Sequence, residues 1–228
     1  MENEQEIQEA ARAIVFFTDS YTQNKKRKEK EQPESKSNPS LTEITANLQS
    51  LQYQTQMNMS CKQVIQIPNL LQSLIELTRF KLDTHFNKEK DLLELEVRHS
   101  SRRCLYLIQR FGDEQDQTEL VNQGYGRVIS FSYCTAGGIG EEHNKEINDG
   151  LLNIYNFLKT LHEGRNNNYQ PSFQPLPLLA RRSDEQKEEE GADEEIEAQM
   201  KNNGHYDSFK HEAIWAKVAT LNRFIHDN

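Results

Sequence analysis

Cysteine is scarce: Cys61, Cys104 and Cys134 are the three in 228 residues, far apart and each in an apolar context. A disulfide framework is thereby excluded, and buried thiols in a reducing compartment are expected. Long apolar runs are also missing. No stretch approaches the ~20 residues a membrane span needs, and the start, MENEQEIQEA, is too acidic and polar for a signal or transit peptide. Positive charge is in the minority, with 27 Lys and Arg against 36 Asp and Glu and a formal net charge of −9. A general nucleic-acid binder is therefore not expected. The apolar share is only 35%, which favours thin layers and exposed loops over one thick core. The location these features imply is cytoplasmic, with the nucleus left open by one basic cluster, Lys25 to Lys30. That cluster reads first as a solvated charge run diluted by Glu29 and Glu31, and second as a localisation signal, an acidic-partner contact or a phosphate patch.

Metal and catalytic signatures are missing too. His211-Glu212 lacks a second histidine at i+4, and no Cys or Cys/His pair stands at zinc-finger spacing. Gly137-Gly138-Ile139-Gly140 lacks the Lys-Ser/Thr ending of a phosphate loop. His99 and Cys104 are five residues apart, about 140° round a helix, so they point apart. The sequence predicts no catalytic residues, no cofactor, no metal and no enzyme.

What is present is amphipathic helix. Ile67, Leu70, Leu71, Leu74, Ile75 and Thr78 recur at steps of three and four, with Pro68 in the expected first turn. Leu93, Val97, Ser101, Cys104, Leu105 and Ile108 repeat the pattern, and Phe111-Gly112 supplies a stop. With the short segment from Cys61 to Gln66, the stretch from Asn58 to Phe111 reads as a short, a medium and a long helix.

The same order recurs along the chain. Units are expected at about 3–56, 58–112, 116–164 and 166–228, with charged inserts at 23–40, 81–91, 136–146 and 183–207. Unit one begins with NEQEIQEA and ARAIVFFTDSY. After the insert, Ser40 and Glu43 form a predicted capping box that opens a helix with Leu41, Ile44, Leu48 and Leu51 on one face. Unit three runs DQTELVNQG, YGRVISFSYCT and EINDGLLNIYNFLKTLHEG. Its middle piece suits a strand by composition, but its place in the order predicts helix. The apolar face of its last segment is Ile147, Leu151, Ile154, Tyr155 and Leu158, with Gly164 as stop. In unit four PLPLLARR is read as the second helix, the acidic run as a solvated insert, and SFKHEAIWAKVATLNRFI as the third helix, apolar at Phe209, Ala213, Ala216, Leu221 and Phe224 or Ile225. Each insert falls between the second and third segments, as in a solenoid that tolerates loops along one rim.

VNQGYGRVISF and CKQVIQIPNLLQSL resemble the passage from first to second helix in the armadillo family. EAIWA, Glu212 to Ala216, resembles the third-helix pattern of its importin-α branch. There a tryptophan is followed four residues later by an asparagine. Here that position is Ala219, so the resemblance does not extend to nuclear-localisation peptides. It implies an all-α superhelix of about four irregular repeats forming a single domain over 1–228, whose third helices line a concave face that binds other proteins. By position the lining comprises Asn47 and Gln54; Arg98, Arg102 and Gln109; Asn148, Asn153 and Asn156; and Trp215, Lys217 and Arg223. The function implied is a non-catalytic interaction scaffold or adaptor with protein partners. The alternatives are a structural subunit of a larger assembly and, less favoured, a nuclear-transport adaptor.

Overall fold

A computed structural model describes residues 2–28, 40–58, 61–80, 88–134, 144–201 and 208–221. Every named element among them is an α-helix, and none of these helices is long and apolar enough to cross a membrane. The chain forms two compact units, Met1–Gly112 and Asp113–Asn228.

The first unit contains α1 (Glu2–Lys28), α2 (Leu41–Asn58), α3 (Cys61–Ile65), α4 (Leu70–Leu77) and α5 (Lys88–Phe111). Two separate segments were expected at the N-terminus, yet one helix of 27 residues is found. No Gly or Pro interrupts it, and Ile7, Ala10, Ala11, Ile14 and Phe17 make one unbroken buried stripe. The helix also takes in Lys25–Lys28, so the insert expected from residue 23 begins later. The capping box is present: the Ser40 N–H donates to Glu43 Oε2 at 2.8 Å, and the Glu43 N–H donates to Ser40 Oγ at 3.2 Å. Ile44, Leu48 and Leu51 are fully buried as expected. Pro68 precedes α4 instead of opening it, because Asn69 takes a left-handed conformation (φ 64°) immediately before Leu70. The core is completed by Leu70, Leu74 and Leu77 of α4 and Val97, Cys104, Leu105 and Ile108 of α5. Phe80 meets the rings of Phe17 and Tyr21 at 5.5 and 4.7 Å.

The second unit contains α6 (Glu114–Asn122), α7 (Tyr125–Ser130), α8 (Asn144–Glu163), α9 (Pro177–Glu188), α10 (Ala192–Lys201) and α11 (Ser208–Leu221). Asp113 and Asp116 form a reciprocal capping box at the start of α6. The ambiguous segment is helical, as α7. Gly164 ends α8 at φ 75°, and the chain turns back through an isolated bridge between Arg165 and Phe173. Ile147, Leu151, Ile154 and Leu158 are buried, but Phe157 and Leu161 complete that face where Tyr155 was expected. On α11 the interior stripe is Ala213, Ala216 and Ala219, while Leu221 is exposed.

The acidic stretch 183–207 departs furthest from expectation. Its first part continues α9 and its middle forms α10, with Ser183, Asp184, Lys187, Ala192 and Ile196 buried. PLPLLARR therefore opens the first helix of a trio, and α10 is the second. Small and apolar residues recur among the charges at 180, 183, 192 and 196, which gives each helix a face to bury.

With that shift three trios stand out: α3–α5, α6–α8 and α9–α11, each ending on its longest helix. In each, the residue immediately before the second helix is left-handed: Asn69 at φ 64°, Gly124 at 86° and Gly191 at 68°. Gly meets that requirement without a Cβ penalty, and Asn is among the few other residues that tolerate it. Residues 81–87, 135–143 and 202–207, which lie between the second and third helix of each trio, are outside the described residues. So are 29–39, between α1 and α2.

Candidate protein-interaction surfaces

In each unit two of the longest helices pack side by side, α2 with α5 and α8 with α11. On the α8–α11 surface, Tyr155 and Trp215 approach to 5.9 Å between ring centroids, and Trp215 keeps 45% of its surface exposed. Lys159 lies over the other end of the pair, with its ammonium 5.6 Å from the Tyr155 ring and 3.3 Å from its hydroxyl. The hydrogen bond to Tyr155 holds the Lys159 amine above its ordinary range. Asn148, Asn153 and Asn156 on α8 are half-buried. Lys217 is tied to Glu197 of α10 at 3.0 Å, an interaction that lowers the carboxyl and raises the amine. Arg223 lies outside the described residues.

In the first unit the expected lining is displaced by one residue. Arg98 is 1% exposed, and its Nη1 donates to the Phe80 carbonyl at 3.1 Å. Gln109 is buried and Arg102 half-buried. Gln54 donates to Glu6, and Asn47 Nδ2 donates to the Glu43 carbonyl of its own helix. With Val97, Ser101, Cys104 and Ile108 turned inward, positions 98 and 109 fall on the flank of the buried stripe. The outward row is one step on, at His99, Arg103, Tyr106 and Arg110. Arg103 and Arg110 both approach the Tyr106 ring, at 4.9 and 6.0 Å, and Arg110 Nη1 donates to the Tyr106 hydroxyl at 2.9 Å. From Arg98 to Phe111 the chain carries four arginines and no carboxylate. Reading that acid-free run opposite the apolar row would have located this surface.

A buried ionic cluster inside the second unit escaped the sequence reading altogether. Lys187 Nζ contacts Asp193 Oδ1 at 2.9 Å, Thr220 Oγ1 at 2.8 Å and Asp184 Oδ1 at 3.8 Å, and His162 Nε2 lies 3.9 Å from Asp184 Oδ2. The side chains of Asp184 and Lys187 have no exposed surface. Four helices, α8 to α11, converge there. Burial pushes the nearby Tyr133 hydroxyl well above its ordinary range, with smaller contributions from Cys134, Asp193 and Asp184. Cys134 is pushed up to about 12 by burial and by Glu195, Glu190 and Glu194. Cys104, fully buried against the Leu48 carbonyl, is raised by burial. Thiols held this far above neutrality are poor nucleophiles at physiological pH. Among the described residues no group of three His, Cys, Asp or Glu side chains is placed to hold a metal.

Charge is divided between the units. Residues 113–228 carry 11 Lys and Arg against 21 Asp and Glu, a net −10, which leaves +1 for residues 1–112. No family model matches the chain, and neither a curated protein nor a solved structure matches it.

Proposed function

We propose that this chain is a non-catalytic helical-repeat protein of armadillo type that binds other proteins along the surfaces of its long third helices. The observation that carries the reading is the Tyr155–Trp215 pair. A tryptophan left half-exposed in tilted contact with a second aromatic is costly to leave in water without a partner, and such residues dominate binding energy at interfaces. The recurring trios, each with its left-handed hinge before the second helix, support the repeat part of the proposal. The partner class is a protein or extended peptide, and the working location is the cytoplasm or nucleus.

The test is affinity capture with the full chain, followed by binding measurements with each purified partner identified. Trp215→Ala should weaken binding by about 30-fold, corresponding to a hot spot of about 2 kcal/mol. An unchanged affinity in that variant and in Tyr155→Ala removes this surface from the proposal. A second reading, a structural subunit of a larger assembly, is favoured by Tyr169 and Leu178, large apolar side chains left about 80% exposed. Sedimentation separates the two. A stable soluble monomer supports the scaffold, and obligate co-purification with neighbours supports the subunit.

A further inference from the structure

The geometry points to the polar trough between α1 and α4 as a receptor for one guanidinium group, the side chain of an arginine presented by a partner protein, taken up between the carboxylates of Asp19 and Glu76. The helices that build it are not the third helices proposed above as binding surfaces, so the inference stands independently of that reading.

In the first unit α1 packs on α4, and the two enclose a trough of about 310 Å3. One wall is Thr18, Asp19, Thr22 and Gln23, at i, i+1, i+4 and i+5 of α1, beside the buried Ile14 and Phe17. The other is Asn69, Gln72, Ser73 and Glu76, at i, i+3, i+4 and i+7, beside the buried Leu70, Leu74 and Leu77. Every residue of the lining is polar. Pockets for small organic ligands are lined mainly by apolar and aromatic side chains, so this one does not suit an apolar ligand.

The Thr18 hydroxyl donates to the Ile14 carbonyl at 2.9 Å. The other seven lining side chains have no hydrogen-bond or ionic partner among the described residues. Ser73 is 3% exposed, yet its hydroxyl is neither bonded nor sealed in, so it opens on the trough. A hydroxyl so far withdrawn from water and left without a partner costs free energy that a ligand's donor recovers.

Carboxylates on opposite walls make the trough an acceptor site, and no lysine or arginine lines it among the described residues. The first unit carries a net +1, so Asp19 and Glu76 are not left uncompensated for want of cations nearby in the chain. A guanidinium presents five N–H donors in one plane, enough to reach both walls at once, whereas an ammonium has three and is more strongly hydrated. Calcium takes about six to eight oxygen ligands, and no group of three His, Cys, Asp or Glu side chains is gathered among the described residues. The volume stands at the lower end of the about 300–1,000 Å3 of ligand pockets, which suits a single side chain. The exposed amides of Gln23, Asn69 and Gln72 can serve the N–H and C=O groups of a peptide backbone, which favours an arginine carried by a peptide over a free small guanidinium.

The experiment titrates the isotope-labelled full chain with the peptide acetyl-Ala-Gly-Arg-Gly-Ala-amide and follows the backbone amide NMR signals. Saturable shifts should appear at residues 18–23 and 69–76, with a dissociation constant of about 1 mM, since exposed ion pairs each contribute little. The citrulline peptide, neutral and of the same shape, should bind about tenfold more weakly or not at all, and the lysine peptide about threefold more weakly. Asp19→Asn with Glu76→Gln, both exposed and nearly isosteric, should abolish the shifts at unchanged helicity. Ser73→Ala should weaken binding about threefold, the loss of one hydrogen bond. Equal shifts from the citrulline peptide or full binding by the double variant overturns the inference. So do shifts confined to residues 113–228, where general attraction to a net charge of −10 would place them. Calcium chloride moving the same amides at lower concentration than the peptide would assign the trough to an ion, and agmatine binding more tightly than the peptide would assign it to a free small molecule; either result also overturns it. Trp215→Ala lies in the other unit and should leave the affinity for the arginine peptide unchanged.

Discussion

Lys187→Met is the sharpest test of how the second unit holds together. Lys187 joins α9 to Asp193 of α10 and Thr220 of α11, and stands 3.8 Å from Asp184 on its own helix. Methionine nearly preserves its volume, so the substitution isolates the charge. The Asp184 side chain has no exposed surface, and His162 Nε2 lies 3.9 Å from its Oδ2. Removing one partner of a buried pair costs about 3–5 kcal/mol, because the other is left desolvated without compensation. The bond to Asp193, a quarter exposed, adds less to this. In a unit of this size each kcal/mol moves the midpoint by about 4 °C, so Tm should fall by about 12–20 °C. Urea unfolding of the full chain, followed by circular dichroism, reads the loss. Asp184→Asn in the same molecule should recover at least half of it, since a neutral amide no longer needs the ammonium. If Lys187→Met lies within about 0.5 kcal/mol of the natural chain, the cluster is not a keystone. If the double variant is as unstable as the two single losses added together, the residues are not coupled and the reasoning fails.

The left-handed hinges make a paired prediction. Gly124→Ala, at φ 86°, should cost about 1 kcal/mol, whereas Asn69→Gly should be neutral or slightly stabilising, both measured by urea unfolding. Gly126→Ala would bring a Cβ to 2.8 Å from the Ser183 carbonyl oxygen, so α7 and α9 must separate. The expected loss is about 1–3 kcal/mol, with faster exchange of the Gly126 N–H that donates to Gln186. Cys134, pushed up to about 12, should alkylate at pH 8 about a thousandfold more slowly than a free thiol, in a background where Cys61 is serine. Glu195→Gln should accelerate that reaction by removing the largest of the three carboxylate contributions. Because Cys134 is raised above its unfolded value, its contribution to stability is complete below about pH 8.5 and declines as pH rises through that value towards 12. An alkylation rate equal to that of a free thiol would contradict the burial described here.

Much of the helical pattern was legible because it depends on local chemistry. The Ser40–Glu43 box, the Gly164 stop and the inward rows of α2 and α5 all follow from residue type and 3.6-residue spacing. The lining residues were harder. Helical periodicity fixes which face is apolar, but which flank of that face meets solvent depends on where the neighbouring helix lies. Arg98 and Gln109 were assigned to the surface, and the outward row proved to be Arg103, Tyr106 and Arg110.

The acidic stretch shows the same division. Its composition alone, fourteen residues of mostly Asp, Glu and Lys from 184 to 197, reads as solvated, because charged side chains are normally kept in water. Asp184 and Lys187 are buried only because Asp193, Thr220 and His162 arrive from three other helices to satisfy them. By itself the sequence determined an all-helical chain, where most of its helices start and stop, and the absence of a membrane-length apolar run. The tertiary structure alone decided which charges are buried and which arginines face outward, because both depend on groups distant in sequence meeting at one place.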